Sequence, residues 1–176
     1  MPATFEPFQD RLSRDIRNGL STAFIAAVAR MDLEPVRRAA APFLARNPED
    51  CYQKYINDRL LRYEKALAEL RQGPAAVLWQ AAVLWDLGLF FEVHELLEQA
   101  WLKASGEEKL LLQAMIRAAG VYIKLEHGYR EPAEKMARRA LPVLAAHRAL
   151  LSPFFAPEPL LNALGNPTLP APRLLA

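Results

Sequence analysis

Residues 90–101 read F-F-E-V-H-E-L-L-E-Q-A-W. On a helix advancing about 100° per residue, Leu87, Phe90, Phe91, Leu97 and Trp101 fall on one face, and His94 and Glu98 fall at its centre. Residues four apart are neighbours on a helix surface, with Cβ atoms about 5–6 Å from each other. Histidine offers a nitrogen ligand or a proton-transfer group near neutral pH, and glutamate offers an anionic oxygen or a base. The pair can therefore do three things: ligate a divalent metal, work as acid and base, or form a buried hydrogen bond that fixes helix register. Leaving either group unsatisfied in a core would cost about 1–3 kcal/mol. Glu95 lies at the edge of the stripe, within reach of any site there, and Glu92 is expected in solvent.

The run H-E-L-L-E differs from the zinc-protease pattern, in which two histidines four apart bind the metal, because Glu98 stands where the second histidine would be. It also differs from the di-iron pattern of glutamate followed three residues later by histidine, because position 91 is phenylalanine. His127 and His147 stand at no ligand spacing from this pair. Neither Ser105 nor Cys51, the single cysteine, sits in a nucleophile motif. No cofactor is expected, with His94 and Glu98 the only metal candidates. The leading reading is a binding or structural module. A hydrolase-like metal-dependent or acid–base enzyme using His94 and Glu98 is the alternative.

The elements that must hold this motif read as helices throughout. Glycine is scarce, and no segment alternates with period two. A first helix is expected over about 6–31, with Phe8, Leu12, Ile16, Leu20, Phe24 and Val28 along one side. Pro35 opens a second, which Pro42 kinks or ends. Asn47-Pro48-Glu49-Asp50 reads as a start signal, with Asn47 as the cap and proline first in a helix that runs to about Gln72. Gly73-Pro74 separates it from an apolar helix over about 74–87, which Gly88 closes. The motif helix then runs to about 104, the next covers 107–127, and a last one runs from Glu131-Pro132 towards Leu151 with Pro142 inside it. Six of the fourteen prolines lie in the tail from Ser152, which is also apolar. It is expected to pack as an arm over the bundle or over a neighbouring chain.

The fold expected is all-α, a compact bundle of about six or seven helices built from antiparallel pairs. Residues 1–73 form a helical extension on the core, 74–151 the core and 152–176 the proline-rich arm, as one structural domain. A net charge of +2 over 176 residues implies no polyanionic partner. The basic row Lys135, Arg138 and Arg139 has Glu131 and Glu134 beside it, so a nucleic-acid-binding module is the weakest of the three functional readings. One cysteine allows no internal disulfide framework and suits a reducing cytoplasm. The start M-P-A-T-F-E-P-F-Q has no basic-then-apolar signal, and no run approaches the roughly 20 apolar residues of a membrane span. A membrane partner is not expected; a small ligand, a protein partner or a second copy of the chain is compatible with the sequence.

The stretch W-D-L-G-L-F-F-E-V-H-E-L-L-E-Q-A-W resembles the signature of domain of unknown function 309, a bacterial and archaeal helical family with the pattern E-x-H-E-x-L-E-x-x-W. The matching residues are Gly88, Phe90, Phe91, Glu92, His94, Glu95, Leu97, Glu98 and Trp101, while Asp86 stands where the family has asparagine. The resemblance extends over about 75–150. The family's second helix carries G-x-I-Q and a histidine seven residues after the glutamine. Here Arg117 takes the glutamine position and Lys124 the histidine position. The resemblance implies a polar pocket of His94, Glu95, Glu98, Trp101, Arg117 and Lys124 between two helices, with Arg117 binding Glu98 and supplying the positive charge a metal would otherwise supply. Gln113, Arg117, Gly120 and Lys124 form one helical row, and small Gly120 invites a facing helix to come close.

Overall fold

The computed structural model describes residues 4–175. Among these it contains nine helices and no strand. The helices are α1 (Arg11–Arg30), α2 (Glu34–Leu44), α3 (Asp50–Leu70), α4 (Val77–Asp86), α5 (Phe90–Lys103), α6 (Gly106–Glu126), α7 (Arg130–Ala146), α8 (Arg148–Leu151) and α9 (Glu158–Gly165). The all-α expectation holds. Two compact units meet in sequence at Gly73-Pro74.

The first unit is built from α1, α2 and α3. The expected stripe of α1 is buried at Ile16, Leu20, Phe24 and Val28, and Phe24 stacks on Tyr63 of α3 with ring centroids 4.1 Å apart. Both rings are inaccessible to solvent, and such a pair contributes roughly 0.5–1.5 kcal/mol beyond its area. Helix α1 starts at Arg11, not near residue 6, because Asp10 caps it by accepting from the backbone N–H groups of Leu12 and Ser13. The Ser13 hydroxyl donates to Asp10 at 2.6 Å, and the Tyr52 hydroxyl donates from α3 at 2.9 Å. The cap thereby ties two helices together. Asn47 does not cap α3 as expected. It has φ of 46°, the left-handed conformation that asparagine tolerates, and α3 begins at Asp50 with no side-chain cap. Pro42 neither breaks nor immediately ends α2, which continues to Leu44.

The second unit places α4, α5, α6 and α7 in succession, each packed on the next. Helix α4 buries Leu78, Ala81, Ala82, Val83, Leu84 and Trp85, as its nearly unbroken apolar sequence requires. Gly88, with φ of 68°, makes the left-handed turn into α5, and Gly128, with φ of 77°, makes the turn into α7. Helix α7 passes through Pro142 to Ala146, and the chain breaks at His147 before the single turn of α8. The tail contains a helix that its prolines conceal. Pro159 lies in the first turn of α9, where its missing N–H costs no hydrogen bond, and Leu160 and Leu164 are buried. Helix α9 packs on α7.

Gly120 marks a close approach of α6 and α7. A side chain at this fully buried position would collide with the end of Met136 on α7. The facing helix is therefore α7. We expect Gly120→Leu to destabilise the protein by roughly 1–3 kcal/mol through overpacking, and Met136→Ala in that background to restore much of the loss; urea denaturation of the single and double variants measures both.

Asp10 generates a second expectation. The Ser13 hydroxyl bond, followed by the Ser13 backbone N–H, holds its carboxyl at about 2, while Tyr52 beside it is pushed up to about 12, chiefly by burial. A carboxylate with a depressed pKa stabilises the fold above its unfolded value and loses that contribution as pH falls through the folded value. Asp10→Ala should cost about 1–2 kcal/mol at about pH 6, and the gap from wild type should close as pH falls from about 4 through 2. Urea titrations across that range provide the test.

Candidate functional site

The positions of the motif side chains follow from which face α5 buries. Phe90, Val93, Leu96 and Leu97 turn inward, and Val93 and Leu97 are wholly buried. The buried centre is thus displaced by one residue from the face centred on His94 and Glu98. Packing on both α4 and α6 widens the covered arc beyond a single stripe. His94 and Glu95 lie at its margin with side chains 32% and 30% exposed, and Glu98 is exposed. Glu92, expected in solvent, is fully buried. Its place in the first turn of α5 puts a negative charge where the helix dipole favours it.

His94 and Glu95 are in contact, with imidazole Nδ1 3.2 Å from carboxylate Oε1. With Nδ1–H donating to Glu95, the lone pair of Nε2 is left to act as a ligand or a base. Ligand atoms of His94, Glu95 and Glu98 lie within 4.8 Å of one another. Two acidic oxygens and an imidazole nitrogen suit a divalent first-row metal better than calcium, which takes oxygen ligands. Phe91 lies one turn earlier, its ring nearly parallel to that of His94 with centroids 6.2 Å apart.

The other expected residues have different neighbours. Trp101 is half-buried, and the Lys109 ammonium of α6 sits over its indole at 4.6 Å, within cation–π range. Arg117 is half-buried on α6, and among the described residues no ion pair joins it to Glu98. Lys124 is half-buried, with its ammonium 5.2 Å from the centre of the Tyr129 ring. Gly120, in the same row as Arg117 and Lys124, meets α7. The first three residues are brought together; the two cations form no ion pair with them among the described residues. An apolar cleft of about 420 Å³, lined in part by Val77, Leu78, Leu112 and Phe154, includes none of the six.

Aromatic packing holds α5 in this orientation. Trp85 meets both Phe90 and Tyr122 edge to face, each with centroids 5.1 Å apart, and Phe90 lies 5.3 Å from Tyr122. One cluster therefore connects α4, α5 and α6. Glu92 is the part of the region that the sequence conceals. A full accounting of the faces of α5, with Val93 and Leu97 opposed to Glu95 and Glu98, would have exposed the displaced centre.

These helices define a small all-α domain with a histidine–carboxylate cluster on its second helix. Residues 78–136 match the family model described as domain of unknown function (DUF309). The match runs from α4 into the first turns of α7 and contains all six residues, over a shorter span than the 75–150 expected. No curated protein and no solved structure matches the chain. No helix among the described residues is long and apolar enough to cross a membrane.

The Tyr122 hydroxyl is buried with no hydrogen-bond partner among the described residues, and burial pushes its pKa up to about 12. Tyr122 therefore contributes through its ring. Removing an unsatisfied hydroxyl relieves a desolvation penalty, so Tyr122→Phe should leave stability within about 0.5 kcal/mol or raise it, whereas Tyr122→Ala should cost about 3–5 kcal/mol. Thermal unfolding of the two variants compares them directly.

Proposed function

We propose that the chain is a helical binding module of the cytoplasm, and that its ligand is a divalent first-row metal ion held by His94, Glu95 and Glu98. The observation that carries this reading is the convergence of one nitrogen and two carboxylate oxygens within 4.8 Å at the margin of a rigidly packed helix. Partial exposure helps such a site, because an ion must enter and water must complete its shell. Three donors from one helix leave coordination positions for water or a second molecule. The pocket reading takes Trp101, Arg117 and Lys124 as further members, whose two cations would favour an anionic second ligand.

A second reading takes the same atoms as catalytic. The 3.2 Å contact between His94 Nδ1 and Glu95 Oε1 is the arrangement that orients an imidazole for proton transfer through Nε2. In that reading Nε2 is the proton acceptor for a bound water and does not ligate a metal.

Calorimetric titration with zinc, manganese and ferrous iron tests the first reading. A single site of micromolar or tighter affinity is expected for at least one ion, weakened at least tenfold in His94→Ala and in Glu98→Gln. Equal heats from wild type and both variants would refute it. Hydrolysis of activated ester and phosphoester substrates by the metal-free protein, lost in His94→Ala, is the outcome the second reading expects.

A further inference from the structure

The end of α4 contacts the last described residues of the chain through a set of hydrogen bonds to their backbone. The Trp85 indole N–H donates to the carbonyl of Pro172 at 2.9 Å. The Asp86 carboxylate accepts the backbone N–H of Leu174 on Oδ1 at 2.7 Å and that of Leu175 on Oδ2 at 2.9 Å. The Arg173 guanidinium lies 3.6 Å from Oδ2. Trp85 is 1% exposed and the Asp86 side chain 6% exposed, so these are enclosed contacts and not surface charges. The Leu174 side chain is buried, whereas Arg173 between Pro172 and Leu174 points to solvent. A donor, a bidentate acceptor and an apolar seat thus read three features of one non-helical segment: a carbonyl, two consecutive amides and a leucine.

We infer that Trp85 and Asp86 form a peptide-binding site whose resident ligand is the arm segment Pro172–Leu175, and that the segment is exchangeable with one of the same chemistry from a second copy of the chain. The inference stands apart from the metal reading, which uses none of these residues. Peptide-recognition sites take affinity from main-chain hydrogen bonds and specificity from seated side chains; Trp85 and Asp86 make the first here, and the buried Leu174 supplies the second. The segment between α9 and these contacts, residues 166–171, carries no helix. Six residues span up to about 20 Å when extended, so the contacts can open while α9 stays seated on α7. Held in cis, the segment has a high effective concentration, which is why an external peptide must be in excess to displace it.

The test uses the full chain and a synthetic peptide of residues 167–175, P-T-L-P-A-P-R-L-L. In wild type, excess peptide should accelerate hydrogen exchange at the Leu174 and Leu175 amides at least tenfold while the amides of α4–α7 keep their rates. A peptide with proline in place of Leu174, lacking one of the two donors, should have no effect. The full-chain variant Leu174→Pro, whose own arm is disabled, should bind the wild-type peptide at least tenfold more tightly than wild type does. Adding Asp86→Asn should abolish that binding, because the amide NH₂ would face a peptide N–H donor instead of accepting from it. Failure of Leu174→Pro to bind the peptide while retaining its helical circular dichroism would overturn the inference. If that variant unfolds, the wild-type exchange measurement decides alone, and unchanged rates at both amides in excess peptide would overturn it.

Discussion

The contact of Trp85, Phe90 and Tyr122 is the constraint on which the second unit depends. Three large rings from three consecutive helices meet with centroids 5.1–5.3 Å apart, and none is more than 5% exposed. Rings of that size in edge-to-face and tilted contact leave little freedom of rotation for any of the helices that carry them. Phe90 opens α5, so anchoring it sets the rotation of the whole helix. Val93 and Leu97 consequently turn inward, and His94, Glu95 and Glu98 come to the margin and the surface. The donor cluster is half-exposed because the aromatic residues take the interior.

The same anchor explains why the arm docks where it does. Trp85 uses its ring for the core and its indole N–H for the Pro172 carbonyl, and Asp86, the last residue of α4, takes two arm amides. An aromatic body with a polar tip is suited to this double role. The residue pair that ends α4 therefore faces the bundle on one side and the arm on the other. The turn that follows it, at Gly88, leads directly into α5.

Much of the helical frame was legible because its punctuation is local. Gly88, Gly106 and Gly128 adopt positive φ at or beside the breaks expected after about 87, 104 and 127. The burial of Ile16, Leu20, Phe24 and Val28 follows from a spacing visible in a single stretch. The errors share one cause: a local rule met a distant partner or a cheaper local solution. Asn47 was read as a cap and instead took the left-handed conformation, leaving α3 uncapped by any side chain. The tail was read only as a proline-rich arm, yet it contains α9, with Pro159 in the first turn, where proline is tolerated. Glu92 was assigned to water from the rotation of α5 alone, and the packing around that helix covers it.

By itself the amino-acid order determined that the chain is helical, where most of its helices break, and that His94, Glu95 and Glu98 lie within one turn of a single helix. Those properties depend on backbone preference and on neighbours at most four residues apart, so the written sequence contains them. Tertiary structure alone decided which way the motif helix is turned, that α7 and not α5 crosses Gly120, and that Asp86 is reserved for amides 88 and 89 residues away. Each of those outcomes is a choice among competing burials and hydrogen bonds between distant segments, and no local periodicity encodes which segment wins.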